Sequence, residues 1–285
     1  MAVNNSLAAR SQKMGITSFL NSEKVLGNVE QALGKDNKQR FITGVISAVN
    51  NNPGLQECTN QSILSGALLG ESLKLSPSPQ LGHYYLVPFN DKNSGKVAQF
   101  QLGYKGYIQL AIRSGQYKKL NVLAVKDGEL EYFDPLNEEI KINLMVDKWD
   151  EREEAETIGY YATFELVNGF KKAIYWSKKQ MENHALKYSP GYKAKKGYTF
   201  WEKNFDMMAY KTMLRQLISR WGIMSIEMQS AFENDMTFTD NSGAVKYAET
   251  DAEFIDAEVV ETQEEKTDFS ENEPTADVAG ALFGK

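Results

Sequence analysis

The sequence predicts an α+β fold in which antiparallel hairpins pack against helices in a single core domain. Apolar residues recur at helical spacing before and after the middle of the chain, and short apolar-aromatic runs joined by polar turns lie between them. No segment repeats along the chain. This order of helices, antiparallel strands and further helices is typical of α+β domains.

Three helices are predicted ahead of the strands. Residues 1–35 are polar, but apolar positions between Val25 and Leu33 follow helical spacing, which predicts a short helix that packs on the core or on a neighbouring subunit. A second amphipathic helix covers residues 38–50 and stops before Pro53. A third covers residues 60–73, with Thr59 or Asn60 as its N-cap.

The strands are marked by runs of aromatic and β-branched residues. Residues 81–89 and 97–102 predict a hairpin closed by a polar turn, and 104–114 predict a helix. The remaining predicted elements are strands at 117–126, 157–167 and 170–176 and helices at 178–187 and 201–221.

The net charge of −6 conceals an asymmetry. From Lys246 onward there are three bases and twelve acids, so this part carries −9 and residues 1–245 carry +3. Such asymmetry is typical of nucleic-acid contact combined with an acidic interaction tail. Residues 241–285 are therefore predicted to be an acidic, disordered tail, which either meets a partner or only increases solubility.

Several classes of protein are disfavoured by composition. The one cysteine, Cys58, excludes an internal disulfide, and no apolar run has the length of a signal peptide or a membrane span. We expect a cytoplasmic protein with no membrane partner. No G-x-x-x-x-G-K-[S/T] phosphate loop is present, which argues against ATP use.

Residues 170–220 combine positive charge with aromatic rings. They contain twelve bases and three acids, and basic side chains neutralise phosphates while aromatic faces stack on unpaired bases. The alternative is a solvated lysine face with its aromatics in the core. The DNA-binding candidates in this region, partly in the predicted loop 189–197, are Lys171, Lys172, Tyr192, Lys193, Lys195, Lys196, Phe200, Trp201 and Lys203.

Two predicted helices carry further candidates. Lys211 and Arg215 stand four residues apart at the border of an apolar stripe, so we expect them to project as a paired phosphate contact. Lys105, Gln109 and Arg113 form a polar stripe on helix 104–114. The alternative for such residues is ordinary solvation of long side chains beside a core face.

An acidic stretch permits a different function. Residues 126–157 contain twelve acids and four bases in a segment without an apolar pattern. A metal-dependent nuclease uses clustered carboxylates, but a solvated surface, or one that meets a basic patch of a neighbouring subunit, fits the stretch better. His83 and His184 lack partners at metal-ligand spacing, so no metal or other cofactor is predicted, and an effect of Mg²⁺ on DNA binding stays open.

Three segments resemble the RecT branch of the RecT/Redβ single-strand annealing proteins, in particular those of prophages in Gram-positive bacteria. They are LKLSPSPQLGHYYLVPF (73–89), QLGYKGYIQLAIRSGQY (101–117) and DMMAYKTMLRQLISRWGIMS (206–225). They follow the family's order and cover roughly residues 40–235, so residues 36–240 are interpreted as a RecT-like core.

The resemblance implies a mechanism for phage homologous recombination. Such proteins form ring or helical-filament oligomers, hold single-stranded DNA in a basic groove, anneal the complementary strand and retain the duplex intermediate without ATP. Motif position favours Lys105, Gln109, Arg113, Lys211 and Arg215 as backbone contacts. The implied partners are a phage exonuclease and, through the tail, the host single-strand-binding protein. A passive single-strand-binding module is the alternative.

Overall fold

A computed structural model of the chain describes residues 14–78, 80–91, 93–197, 199–240 and 242–247. Its first part is a layer of four helices, with a 3₁₀ turn at Pro53–Glu57 before the last. They are α1 (Ile16–Leu20), α2 (Glu23–Leu33), α3 (Lys35–Asn50) and α4 (Asn60–Ser72). The three predicted helices are confirmed, and the side chain of Thr59 caps α4 by accepting from the Ser62 amide.

The predicted hairpin packs on this layer. Strands β1 (Tyr84–Asp91) and β2 (Gly95–Leu102) pair antiparallel, with Tyr84 opposite Leu102 at the open end. The inward side chains Ala98, Phe100 and Leu102 join the core formed with α4. Helix α5 (Tyr104–Ser114) follows directly, as predicted.

A second antiparallel sheet forms the other half of the fold. Strands β3 (Tyr117–Lys126), β6 (Thr157–Leu166) and β7 (Lys171–Ser177) lie in the order β3-β6-β7, close to the predicted bounds. Helix α7 (Lys178–Tyr188) follows the sheet and begins with a capping box between Ser177 and Gln180. Tyr160, Ala162 and Phe164 point from β6 into a core that α7 shares.

The segment between β3 and β6 is more ordered than predicted. Residues 126–157 contain a hairpin, β4 (Leu130–Asp134) and β5 (Glu139–Ile142), and a short helix α6 (Trp149–Glu154). Most of their side chains are exposed and no residue of the hairpin strands is fully buried, although β5 alternates polar and apolar residues over its four positions.

The predicted helix at 201–221 is interrupted. Two one-turn helices, α8 (Pro190–Lys193) and α9 (Phe200–Lys203), precede the long α10 (Phe205–Trp221). Asn204, with φ −145° and ψ 61°, interrupts the helical conformation between α9 and α10. Helix α10 joins both halves, because Leu214 and Ile218 belong to the first core and Met213 and Leu217 to the second.

Three elements after α10 were not predicted. They are α11 (Ile226–Asn234), β8 (Thr237–Thr239) and β9 (Val245–Tyr247), and the two strands extend the first sheet to the order β1-β2-β8-β9. Strand β9 lies inside the segment predicted as tail, whereas residues 248–285 lie outside the described residues. Within the described ranges, no helix is long and apolar enough to cross a membrane.

Candidate nucleic-acid interface

The three segments that resemble RecT proteins meet at one surface pocket of about 190 Å³. We call it the aromatic pocket. The first segment supplies Gly82 and Tyr85, and residues 101–105 come from the second. The third supplies Met207, Met208 and Lys211, and Phe200 and Asn204 complete the lining. Segments far apart in sequence thus form a single concave site.

Aromatic rings form the walls of this pocket. The rings of Tyr85 and Phe200 lie 5.7 Å apart at an angle of 41°, and Tyr104 packs edge-on against Tyr210 at 5.8 Å. Phe200 is 39% exposed. Its position is fixed because α9 begins with a capping box, in which the hydroxyl of Thr199 and the carboxylate of Glu202 bond each other's backbone amides.

Glycines allow the first two segments to approach closely. The Gly103 amide donates to the carbonyl of His83 at 2.9 Å, and a Cβ on Gly103 would lie 2.2 Å from the Gly82 carbonyl oxygen. Gly82 itself has φ +64°, a conformation that favours glycine. Any side chain at Gly103 would therefore push the two pocket walls apart.

The three residues of the polar stripe on α5 lie in different environments. Lys105 is exposed at the pocket, and Gln109 is half-buried one turn further on. Arg113 instead donates to the carbonyls of Leu73 and Lys74, at 2.7 and 3.2 Å, so its guanidinium ties the end of α4 to α5. Lys105 is thus the member of the stripe that lies at the pocket.

The expectation that Lys211 and Arg215 project from α10 as a paired phosphate contact is wrong, because both side chains point inward. Lys211 Nζ lies 3.1 Å from Asp235 Oδ1 and Arg215 Nη1 lies 3.3 Å from Asp235 Oδ2. The Asp235 side chain is fully buried, and Tyr107 donates to its Oδ2 at 3.0 Å. We call these four residues the buried ionic cluster.

The cause of this inward placement is a carboxylate that sequence reasoning missed. Asp235 lies just after α11 and also accepts from the Leu102 amide at 2.8 Å, so it joins the first sheet, α5 and α10. Burial lowers the pKa of Lys211, and the neighbouring Asp235 opposes that shift. Lys211 nevertheless belongs to the lining of the aromatic pocket.

In the basic loop, residues 189–203, the lysine side chains are exposed, whereas the rings of Tyr192 and Trp201 are packed against other residues. The side chains of Lys193, Lys195, Lys196 and Lys203 are exposed. Trp201, a candidate for DNA binding, is only 7% exposed and packs against Phe205 at 5.1 Å, so its ring belongs to the core, as the alternative interpretation predicts. Tyr192 is half-buried, 6.2 Å from Trp201.

The two lysines at the start of β7 differ as well. Lys171 is exposed and lies 3.7 Å from Glu165, which Lys118 also contacts at 2.7 Å. Lys172 pairs with Glu138, and its Nζ lies 4.5 Å from the ring centre of Trp221. Its charge is therefore used within the fold, and only Lys171 faces solvent.

The carboxylates of 126–157 are dispersed. Glu129 is buried against Arg152 at 2.6 Å, and its pKa is lowered by that guanidinium and by backbone amides although burial acts in the opposite direction. Others pair with lysines, such as Glu131 with Lys141 and Glu156 with Lys178. In the described part of the chain, no three His, Cys, Asp or Glu side chains are grouped to hold a metal.

Sequence reasoning did not single out most of the pocket lining, including Tyr85, Gln101, Tyr104, Asn204 and Met207. A signal was available, because Leu-Gly pairs at 81–82 and 102–103 precede tyrosines in two of the resembling segments. Apart from the burial of Lys211, Arg215 and Trp201, the DNA-contact roles of the candidates stay predictions.

Comparison with known proteins gives concordant matches. The RecT family model matches residues 39–253. "Uncharacterized protein YqaK" of Bacillus subtilis (strain 168) is 39% identical over 266 residues, 92% of this chain and 87% of that protein. "Protein RecT" of Escherichia coli (strain K12) is 30% identical over 236 residues, 81% of this chain and 84% of that protein. The region matched by the family model contains the pocket, the basic loop and the buried ionic cluster.

Proposed function

This chain belongs to the RecT family, and we propose that it binds single-stranded DNA and anneals it to its complement without nucleotide hydrolysis. Membership of the family supports a role in recombination by single-strand annealing. The independence from ATP, the manner of binding and the retention of the duplex are our inference.

The observation that supports the proposal most directly is the meeting of the three resembling segments at the aromatic pocket, beside exposed lysines. Lys105 lies at the pocket, and Lys203 is followed at once by Asn204 of its lining. The exposed lysines 193, 195 and 196 belong to the same loop as Phe200. Cations that neutralise phosphates next to aromatic faces are the arrangement by which proteins bind single strands without sequence preference.

The energetics of pairing explain why no fuel is needed. Stacking and pairing release about 1.4 kcal/mol per base-pair step, so annealing is already downhill. Repulsion between the strands and the search for register slow the reaction. A surface that neutralises phosphates and leaves base edges accessible lowers both barriers, and its sequence preference is weak because backbone contacts carry no base information.

Assembly and partners are part of the same proposal. We infer that copies of the chain associate, so that their basic surfaces form one continuous groove along the DNA. A separately encoded phage exonuclease would supply the single strand, and the acidic tail would contact the host single-strand-binding protein. No cofactor is required in this scheme, although Mg²⁺ is free to modulate the affinity for DNA.

The test mixes two complementary oligonucleotides, one with a fluorophore and one with a quencher, with and without the protein and in the absence of ATP. We expect faster quenching with protein, and equal acceleration by a chain that ends at Tyr247, since the tail would serve partner binding. Binding without acceleration would instead identify a passive single-strand-binding protein. Shortened strands in the presence of Mg²⁺ would identify a nuclease.

A further inference from the structure

The aromatic pocket has a size and lining that backbone binding alone does not require. We propose that it accepts one unpaired nucleobase of the bound strand, while Lys105 and Lys203 hold the adjacent phosphates. This inference rests on the proposed function and adds a specific contact to it, a base withdrawn from the stack of its neighbours.

The dimensions of the pocket restrict its occupant. A volume of about 190 Å³ is below the 300–1,000 Å³ of sites for drug-sized ligands, so it suits a single small ring system. The rings of Tyr85 and Phe200 are inclined at 41°, so a flat ligand stacks on one of them and meets the other at an angle. A planar base satisfies both conditions.

The polar groups of the lining match the edge of a base. Gln101 and Asn204 carry amide groups, and Lys211, whose Nζ donates to Asp235, also belongs to the lining. The side chains of Met207 and Met208 add adaptable apolar surface, which tolerates different bases.

The surroundings of the pocket indicate why the occupant belongs to a nucleic acid. Lys105, whose Cδ would lie 3.4 Å from a Cβ on Gly82, contributes its stem to the wall and its charge to the surface. Lys203 is exposed at the end of α9, the helix that begins with Phe200. A base in the pocket would therefore have Lys105 at the pocket, and Lys203 next to the lining residue Asn204, available for the phosphates that flank it.

The experiment compares two oligonucleotides with the same number of phosphates, one of thymidines and one of stable abasic residues. Phosphate neutralisation contributes equally to both, so the ratio of their dissociation constants isolates the contribution of the bases. Stacking of one base on an aromatic side chain corresponds to about 5- to 150-fold in affinity. We expect the wild-type protein to show a ratio in this range or higher.

The variant Phe200→Leu should lower that ratio by at least about fivefold while leaving the affinity for the abasic strand unchanged. Phe133→Leu is the matched control, because Phe133 is 40% exposed, as Phe200 is 39%, but packs on Tyr175 at the second sheet. Tyr85→Leu tests the other wall. A thermal unfolding curve for each variant verifies that it folds.

The possible outcomes separate the two proposals. A wild-type ratio near one overturns the base pocket even if no variant folds. Equal ratios of the two dissociation constants for wild type, Phe200→Leu and Tyr85→Leu overturn the base pocket as well. Salt-dependent binding of both strands in that case would still support the proposed function. Failure of the wild-type protein to bind the thymidine strand at low salt would overturn the proposed function itself.

Discussion

The buried ionic cluster and the basic loop contain cations that look alike in the sequence but occupy opposite environments. Lys211 and Arg215 are enclosed against Asp235, whereas Lys193, Lys195 and Lys203 extend into solvent. The difference arises from a carboxylate more than twenty residues away from Lys211, and not from the local pattern. A base at the border of an apolar stripe is drawn inward where the fold supplies a buried partner.

The two environments have different physical consequences. A charge removed from water is tolerated only with a close partner, and deleting one member of a buried pair leaves the other uncompensated. An exposed lysine contributes little to stability and stays available to phosphates. We therefore expect the cluster to act on the free energy of unfolding and the loop to act on DNA affinity.

The largest expected effect follows the loss of Asp235. The variant Asp235→Ala leaves Lys211 and Arg215 without their shared carboxylate, so the free energy of unfolding should fall by about 3–5 kcal/mol. Urea unfolding followed by circular dichroism measures this. Glu151→Ala removes an ion pair with exposed partners, to Lys148, and should cost no more than about 1 kcal/mol. Equal losses in the two variants would refute the distinction.

A double substitution of the two cations of the cluster has an ambiguous outcome. Lys211→Ala with Arg215→Ala leaves the Asp235 carboxylate buried without its cations, so a weaker affinity for DNA in that variant could reflect a damaged fold. An apolar triple variant, Lys211→Met, Arg215→Met and Asp235→Leu, is the sharper probe, because such replacements of buried ion pairs are often neutral or stabilising. If it folds and still binds DNA, the cluster is structural.

A smaller effect on stability, but a clear one on binding, is expected for the loop. Lys193→Gln, Lys195→Gln and Lys203→Gln should each change the free energy of unfolding by less than about 0.5 kcal/mol. The slope of log affinity against log salt for single-stranded DNA should fall by about 0.7 for each phosphate that the variant no longer neutralises.

The matched control for the loop replaces three exposed lysines on other elements, Lys24, Lys35 and Lys141, by glutamine. It removes the same charge from the protein, so it measures the general effect of net charge. A salt slope that falls equally in both triple variants would show that the loop has no special place in DNA binding.

The helices and strands that the sequence predicted correctly are those with a regular spacing of apolar residues. The helices at 38–50, 60–73 and 104–114 and the sheet strands were recognised because one face of each is buried. The hairpin β4–β5 was missed because it has almost no buried face, and the break at Asn204 because helical spacing resumes one residue later.

The site was harder to predict, since its geometry depends on contacts between distant segments. Exposure of Lys105 and the basic loop could be anticipated from the excess of charge. The burial of Lys211 depended on Asp235, which lies just after α11, and Arg113 was engaged by the carbonyls of Leu73 and Lys74, just after α4. A carboxylate or carbonyl partner on a distant segment does not alter the spacing of residues along a helix, so that spacing cannot predict it.

His184 provides a third environment, in which a titratable side chain is buried near another base, Lys187, and stays neutral. It lies on α7 beside the rings of Trp176 and Tyr188, and burial, assisted by repulsion from Lys187, lowers its pKa to about 4. An unfolded chain takes up a proton near pH 6.5, which the folded chain does not. Stability should therefore fall as the pH drops from 6.5 towards 4, by at most about 1.4 kcal/mol per pH unit.

Urea unfolding at several pH values between 7 and 5 measures this loss, in a window where carboxylates of both states remain largely ionised. The variant His184→Phe should flatten the profile, because a ring of similar shape replaces the imidazole and carries no proton. The pKa of His83 is also lowered by burial, so His83→Gln serves as the comparison. Parallel profiles for wild type and His184→Phe would show that the imidazole accepts its proton in the folded state, as a solvated histidine does.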